Sequence, residues 1–190
     1  MSHIYIYPTD TVWGIGANIN NEEAHHRINQ IKLSSEHKPL SILMSGLKMF
    51  DQYISLSESK YKNVNLQKIY KLGLTLGVPH KYFKNKTPEH VYQGSPFVGV
   101  RVTQNQKISD LIDKEKGPIS TTSLNKTGEA PILDFSEAKK FYERAKIDFP
   151  ELTLIQDENL IISGVSSSFL VLNDEGPTFL RKGENHDEIL

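Results

Sequence analysis

The stretch "PTDTVWGIGA", residues 8–17, decides how this chain begins its fold. It follows the apolar run "HIYIY" at residues 3–7, which predicts a short β-strand. Pro8 should end that strand, because proline has no backbone N–H to donate to a neighbouring strand. The polar and glycine-rich residues that follow are typical of a loop, which we predict over residues 8–16.

This loop begins with three side chains that can bind a ligand, Thr9, Asp10 and Thr11. Binding residues are often found on loops that a rigid scaffold holds in place, so hydroxyls and backbone amides can converge on a ligand here. The structural alternative is a tight turn packed by Trp13. Taken alone, the stretch does not decide between the two.

The composition predicts an ordinary globular chain of one domain, residues 1–190. Hydrophobic residues make up 37% and charged residues 24%. No apolar run approaches the ~20 residues that span a bilayer, and no secretory signal is evident. The chain has no cysteine, which agrees with a reducing compartment. We therefore expect a soluble, cytoplasmic protein without membrane contact. A net charge of -1 provides no global field for a polyanion.

Strong motifs for metals and nucleotides are missing from the sequence. The histidines show no HExxH or comparable ligand spacing, so no metal site is predicted. Neither a GxxxxGK[ST] loop nor a GxGxxG turn is present, which argues against P-loop and Rossmann nucleotide sites.

Elsewhere the chain alternates helices with strands early and is rich in strands late. The predicted helices cover 21–33, 45–54, 106–116 and 135–146, with Asn20 and Asp134 as caps of the first and last. The predicted strands cover 39–44, 74–78, 97–102, 119–123, 152–155, 160–163, 168–172 and 178–181. Residues 55–62 and 79–96 are polar and predicted as connections. This order favours an α/β fold with a twisted, mixed parallel and antiparallel sheet and flanking helices.

A second polar cluster, "TTSLNKTG" at residues 121–128, comes at the end of a predicted strand. It can present hydroxyls and Asn125 to a ligand, or it can be a solvated turn that ends at Gly128. Lys32 lies at the end of the first helix, where a cation can either bind an anion or simply complement the helix dipole. For Arg101 the alternative to anion binding is a structural salt bridge.

Together and in this order, these segments resemble the YrdC-like family, the threonylcarbamoyl-adenylate (threonylcarbamoyl-AMP) synthases. The matching motifs are "IYPTDTVWGIGA", "IK", "KPLSIL", "VGVRV", "GPISTTSLNKTGEAP", "GVSSSFLVL" and "FLRKGE". They cover essentially the whole chain.

The resemblance implies a fold similar to that of double-stranded-RNA-binding proteins, with an open cleft. It also implies a nucleotidyltransferase that joins L-threonine, bicarbonate and ATP into threonylcarbamoyl-AMP. ATP would be a substrate, Mg²⁺ would assist, and the product would modify tRNA. Possible partners are therefore tRNA, through direct RNA binding, and other tRNA-modification proteins.

Individual roles are carried over by motif. Lys32, Ser123 and Asn125 would be catalytic and would contact the nucleotide together with Ser167 and Arg181. The implied substrate-binding residues are Thr9, Thr11, Lys38, Arg101 and Thr122.

Two departures from the family pattern stand out. The Lys-x-Arg pattern reads Lys32-Leu33-Ser34, so an arginine is missing at 34. The usual PGP-x-T segment keeps only Gly73 and Thr75. The chain is therefore either a divergent synthase in which another cation replaces the arginine, or a paralogue that binds nucleotide or RNA without synthase activity. A third alternative is an interaction module with an inert cleft.

Overall fold

A computed structural model describes residues 3–34, 38–157 and 160–188. In this part of the chain, nine strands form one mixed sheet in the order β7-β1-β2-β6-β3-β5-β4-β8-β9. The strands are β1 Ile4–Pro8, β2 Trp13–Gly16, β3 Ser41–Met44, β4 Thr75–Pro79, β5 Phe97–Val102, β6 Ile119–Ser123, β7 Leu152–Leu154, β8 Phe169–Asn173 and β9 Gly176–Arg181. The pairs β1/β7, β3/β5 and β4/β8 are parallel and the other five are antiparallel, which confirms the predicted mixed sheet.

Six α-helices flank the sheet within the described residues. They are α1 Glu22–Ile31, α2 Leu47–Tyr53, α3 Leu66–Lys71, α4 Glu89–Tyr92, α5 Gln106–Lys114 and α6 Phe135–Asp148, with two 3-10 turns at His80–Tyr82 and His186–Glu188. None of these helices is long and apolar enough to cross a membrane.

Alternation along the strands sorts the side chains onto two faces of the sheet. One face is mainly apolar. In β3, for example, Ile42 and Met44 join a core with the valines of β5 and with residues of α2. At the other end of the sheet, Ile4 and Ile6 of β1 pack in a second core with residues of α1 and α6.

The opposite face is only partly covered. Tyr5 and Tyr7 of β1 pack there with Leu43 of β3 against α5. The rest of this face carries small and polar residues, among them Gly99 and Arg101 of β5. This uncovered part of the sheet positions the candidate site.

The predicted loop over residues 8–16 is wrong in its second half, because Trp13–Gly16 forms β2 and pairs antiparallel with β1. The two glycines of this strand allow close approach to its neighbours. A Cβ at Gly16 would lie 1.8 Å from the carbonyl oxygen of Ser120, and one at Gly14 would lie 2.9 Å from the Tyr7 ring. Glycine here marks tight strand packing rather than a loop.

Three smaller predictions also need correction. The cap of α1 is Asn21, whose side chain accepts a hydrogen bond from Ala24 N, and not Asn20. The predicted connection over residues 79–96 contains a 3-10 turn and α4, and α3 lies in a stretch for which no element was predicted. Residues 160–163 form no strand. Instead, Ser163 N donates to the carbonyl oxygen of Asp10, which ties this segment to the loop after β1.

Candidate active site

A polar cavity of about 370 Å³ lies over the uncovered part of the sheet. Its walls come from the ends of strands on both sides of the sheet centre and from the connections after β1 and before β8. Lining residues include Thr9, Thr11, Ser41, Thr75, Arg101, Thr121, Thr122, Ser123, Ser167, Phe169 and Arg181. Segments separated by more than 150 residues therefore meet in one cavity of hydroxyl and guanidinium groups.

The loop after β1 is organised by the Thr9 hydroxyl. Its oxygen accepts hydrogen bonds from the backbone N–H groups of Thr11 and Val12, at 3.3 and 3.1 Å. Its proton goes to the carbonyl oxygen of Val12 at 2.6 Å. The Thr11 hydroxyl, 3.0 Å from Thr9 Oγ1, is therefore the donor of that pair. The Thr9 hydroxyl is thus fully engaged within its own loop.

Arg101 of β5 is buried and has two partners in this loop. Its Nη2 donates to Asp10 Oδ2 at 2.7 Å, and its Nη1 donates to Thr11 Oγ1 at 3.2 Å. The sequence left open whether Arg101 forms a salt bridge or faces a ligand. The structure gives it both, since the residue is paired with Asp10 and also lines the cavity.

Arg181 of β9 provides a second guanidinium. Its Nε and Nη2 donate to the carbonyl oxygen and hydroxyl of Ser167, at 2.9 and 3.3 Å, and that hydroxyl lies 2.8 Å from Thr75 Oγ1. Burial, together with the charge of Arg101, lowers the pKa of Arg181. Two guanidinium groups that repel each other beside one cavity favour the binding of an anion between or beside them.

Lys32 has a different environment. It is the C-terminal cap of α1, and its ammonium group donates to the carbonyl oxygens of Ser123 and Asn125 and lies 3.4 Å from Asn125 Oδ1. Its backbone carbonyl also accepts from Thr127 N at 2.9 Å. Burial, with a smaller contribution from Lys38, lowers the pKa of Lys32 to about 8. Lys32 therefore fixes the turn after β6 and lies behind the cavity wall.

The turn after β6 also has defined hydrogen-bond directions. Both amide hydrogens of Asn125 have acceptors, the carbonyl oxygens of Lys126 and Glu129 at 2.9 and 2.8 Å. Asn125 Oδ1 therefore accepts from Ser123 Oγ at 2.6 Å. Ser123 lines the cavity with its proton already donated, so its oxygen faces a ligand as an acceptor.

The segment that departs from the family pattern forms the end of α1. Leu33 adopts a positive φ of 50°, and the amides of Leu33 and Ser34 donate to the carbonyl oxygens of Gln30 and Asn29. These bonds form a Schellman motif, which ends the helix. Lys38 is exposed.

The predicted site residues only partly meet in one cleft. Thr9, Thr11, Arg101, Thr122, Ser123, Ser167 and Arg181 line the cavity, whereas Lys32 and Asn125 support the turn at its edge and Lys38 lies outside the lining.

Several lining residues were not predicted, and Phe169 is the clearest. Its ring lies over the sheet where β4 and β5 carry glycine. A Cβ at Gly77 or Gly99 would come within 2.9 or 3.0 Å of ring atoms of Phe169. Glycine inside a strand often marks the close approach of another group. The two glycines in the sequence therefore indicated that a bulky side chain packs over these positions.

Comparison with known proteins assigns this arrangement to a family. The Sua5/YciO/YrdC family model, described as telomere recombination, matches residues 2–183. The chain belongs to this family. Curated members include threonylcarbamoyl-AMP synthases. The chain is 27% identical over 146 residues to that of Pseudoalteromonas atlantica, covering 76% of each chain. It is 31% identical over 153 residues to that of Pseudomonas fluorescens, covering 76% of this chain and 75% of the relative.

Solved structures of the family share the fold. The structure of P. abyssi Sua5 in complex with L-threonine has a TM-score of 0.77 at 25% identity, over 95% of this chain. The chain spans about half of that protein, covering 50% of its length. E. coli YciO, with a TM-score of 0.73 at 20% identity over 96% of this chain and 84% of its own, shows the same fold.

Proposed function

We propose that this protein synthesises L-threonylcarbamoyl-AMP from L-threonine, bicarbonate and ATP, with release of pyrophosphate. The observation that carries the proposal is a pair of arginines, Arg101 buried and Arg181 more exposed, that line one hydroxyl-rich cavity. All three substrates carry anionic oxygens, and a rigid guanidinium fork suits planar carboxylates and phosphates. The threonylcarbamoyl-AMP synthases among the relatives, and the family member solved with L-threonine, support the same substrates.

The chemistry requires two bonds to form. The amine of threonine combines with bicarbonate to give a carbamate, with loss of water, and a carbamate oxygen then attacks the α-phosphorus of ATP as pyrophosphate leaves. Negative charge accumulates on the phosphorus oxygens in that step, and fixed donors stabilise it best. In our proposal Arg101 and Arg181 supply those donors, because both are held by protein partners before any ligand arrives.

The hydroxyls have a complementary role in this proposal. The protons of the Thr9, Thr11 and Ser123 hydroxyls have acceptors within the protein. Thr11 and Ser123 therefore offer oxygen lone pairs to the cavity. Such acceptors suit the amine and hydroxyl of an amino acid, whereas the arginines suit its carboxylate. Lys32 and Asn125 keep the turn that carries Ser123 in place.

Magnesium enters the proposal as part of its complex with ATP. Among the described residues, no cluster of three or more His, Asp or Glu side chains could hold a metal ion. Asp10 is not among the lining residues and is paired with Arg101. Mg²⁺ commonly binds substrate phosphates with few protein ligands, so the cavity is compatible with the MgATP complex but provides no protein-built metal site there.

The product is an activated carbamoyl group that a second reaction must transfer. We propose that it modifies adenosine in tRNA, together with other tRNA-modification proteins, and that this takes place in the cytoplasm.

Incubation of the purified protein with MgATP, L-threonine and bicarbonate tests the proposal. We expect pyrophosphate release that depends on all three, and threonylcarbamoyl-AMP identified by mass spectrometry. Replacing L-threonine with L-alanine provides a substrate control. Pyrophosphate that forms without threonine would contradict the proposed reaction.

One observation favours a second candidate function, a family member that binds nucleotide or RNA without synthesis. Ser34 stands where the family has arginine, and the Lys32 ammonium group donates to backbone carbonyls rather than into the cavity. Saturable binding of ATP, measured by calorimetry, with no pyrophosphate under any condition would support this candidate instead.

A further inference from the structure

We infer that Asp10 is a positioning residue, which fixes the guanidinium group of Arg101 and through it the Thr11 hydroxyl that Arg101 contacts at the cavity. The inference deepens the proposed function and rests on it for the identity of the ligands. Its structural part concerns residues of this chain alone.

The Asp10 carboxylate contacts Arg101 from the side away from the ligand space. Arg101 lines the cavity, whereas Asp10 does not. The two are joined at 2.7 Å, and the arginine side chain is 10% exposed. A charge-assisted hydrogen bond of this length restrains a guanidinium more than a neutral one does. Asp10 therefore limits the rotation of the Arg101 guanidinium group. The other N–H groups of Arg101 remain available to other acceptors.

A chain of hydrogen bonds extends from this pair. Arg101 has hydrogens but no acceptor, so Thr11 Oγ1 must accept from it. The Thr11 proton then goes to Thr9, and the Thr9 proton goes to the Val12 carbonyl. The Val12 carbonyl fixes the direction of the Thr9 proton, whereas Arg101 and Thr9 together fix that of Thr11. Displacing Arg101 would leave the Thr9 contacts in place but would remove the donor that holds the Thr11 oxygen.

Gly73 provides the space for the pair. A Cβ at this position would lie 3.0 Å from Arg101 Nη2 and 3.1 Å from Asp10 Oδ2, and its φ is +62°. Any larger residue would crowd both charged groups and would also strain the backbone. This explains why Gly73 remains where both flanking prolines of the family pattern are absent.

The loop that carries Asp10 is itself held from a second direction. The carbonyl oxygens of Asp10 and Thr11 accept from the amides of Ser163 and Gly164, at 2.8 and 2.9 Å. The carboxylate is therefore attached to a fixed backbone, as a positioning group must be.

The test compares Asp10→Ala and Asp10→Asn with wild type by three measurements. The first is ¹⁵N NMR of the guanidinium group of Arg101, one of four arginines in the chain, assigned with Arg101→Lys. The second is calorimetric titration of MgATP and of L-threonine, and the third is the melting temperature. We expect faster rotation of the Arg101 guanidinium and about tenfold weaker binding of an anionic ligand in Asp10→Ala. Asp10→Asn should be intermediate, because it keeps an acceptor without the charge.

Two glycine variants separate positioning from simple destabilisation. Gly73→Ala and Gly94→Ala place the same side chain at similar φ values, +62° and +72°, but only the first meets Arg101 and Asp10, since nothing lies within 4 Å of a Cβ at Gly94. Both should lower the melting temperature to a similar extent. Only Gly73→Ala should alter the Arg101 signals and ligand affinity.

Two results would overturn the inference. One is an Arg101 signal in Asp10→Ala that matches wild type, and the other is an equal loss of affinity in the two glycine variants. A wild-type protein that binds ligands but forms no pyrophosphate would refute the proposed function only. If the wild type binds neither ligand, the NMR measurement still decides the role of Asp10.

Discussion

The two ends of the cavity hold their cations in opposite ways. At one end, Arg101 and Arg181 are each held by one or two protein acceptors and still line the cavity. At the other end, the Lys32 ammonium group has three oxygens of the turn after β6 within hydrogen-bond distance. An arginine has five donors and an ammonium group has three. Two protein contacts therefore leave each arginine with donors for a ligand, whereas three contacts leave Lys32 with none.

This difference shows that a cation at a strand or helix end is not by itself an anion site. Its role depends on how many of its hydrogens the protein already uses. The arginine end is arranged for binding, whereas the lysine end is arranged for stability of the turn that presents Ser123. Substitutions at the two ends should therefore affect different measurements.

The largest effect is expected for Arg101→Met. The variant removes a charge-assisted contact to the anionic ligand, which contributes about 1.5–3 kcal/mol, and it leaves the half-exposed Asp10 carboxylate without Arg101. We expect kcat/KM for pyrophosphate release to fall by about 100-fold or more, with a parallel loss of ATP affinity. Arg27→Met is a matched control, because Arg27 pairs with Glu23 and Glu151 on the surface. Equal activity of Arg101→Met and the control would contradict an anion-binding arginine end.

Lys32→Met should reduce stability more than any other change at the lysine end. It leaves the carbonyl oxygens of Ser123 and Asn125 without their buried donor, and an unsatisfied buried group costs about 1–3 kcal/mol. We expect the free energy of unfolding, measured with urea, to fall by about 3 kcal/mol. Lys38→Met is the control, since this exposed lysine should change stability by about 0.5 kcal/mol or less. If Lys32→Met unfolds like wild type but binds ATP poorly, then Lys32 contacts the ligand directly.

The pH dependence should also separate the two ends. The pKa of Lys32 is lowered to about 8, so the residue loses its proton as pH rises through that value, while arginines keep theirs. The donor to the turn therefore weakens above about pH 8, and activity should decline there although the arginine end is unchanged. In Lys32→Arg the alkaline decline should move to higher pH. A decline that stays at the same pH in this variant would assign it to another group.

Much of the fold follows from local patterns that the sequence displays. Val98, Val100 and Val102 alternate with Gly99 and Arg101, and this alternation correctly predicts a strand with one apolar face. The errors arise where contacts between distant segments decide the conformation. The glycines of β2 predict a loop when Tyr7 and Ser120, which pack against them, are not considered. Residues 160–163 form no strand, and the Ser163 amide bonds instead to the Asp10 carbonyl in the loop after β1.

The candidate site shows the same limit. Family motifs identified seven of the residues that line the cavity, because each motif is local. They did not reveal that Asp10 restrains Arg101 or that Lys32 donates to the turn, since these contacts join positions 91 residues apart. Hydrogen-bond directions in particular depend on which donors and acceptors meet, and no spacing in the sequence specifies them.

The smallest effect is expected where the chain departs from its family, at Ser34. Neither neighbouring cation has replaced the missing arginine: Arg27 pairs with Glu23 and Glu151, and Lys38 is exposed. Ser34→Arg keeps the backbone N–H that bonds to Asn29 O, so the helix end should be preserved.

A new arginine could donate to an anionic ligand at the lysine end, where Lys32 has no hydrogens to offer. A well-formed charge-assisted contact contributes about 1.5–3 kcal/mol, and ordering a long exposed side chain offsets about 1.5–2 kcal/mol of it. We therefore expect ATP to bind up to about tenfold more tightly in Ser34→Arg, measured by calorimetry at low and moderate salt. Ser34→Gln is the control, because it adds a long polar side chain without charge. The gain should shrink as salt screens the charge. Equal affinities of the two variants at both salt concentrations would mean that the lysine end does not contact the anionic part of ATP. Only the arginine end would then bind the anionic groups of the ligand.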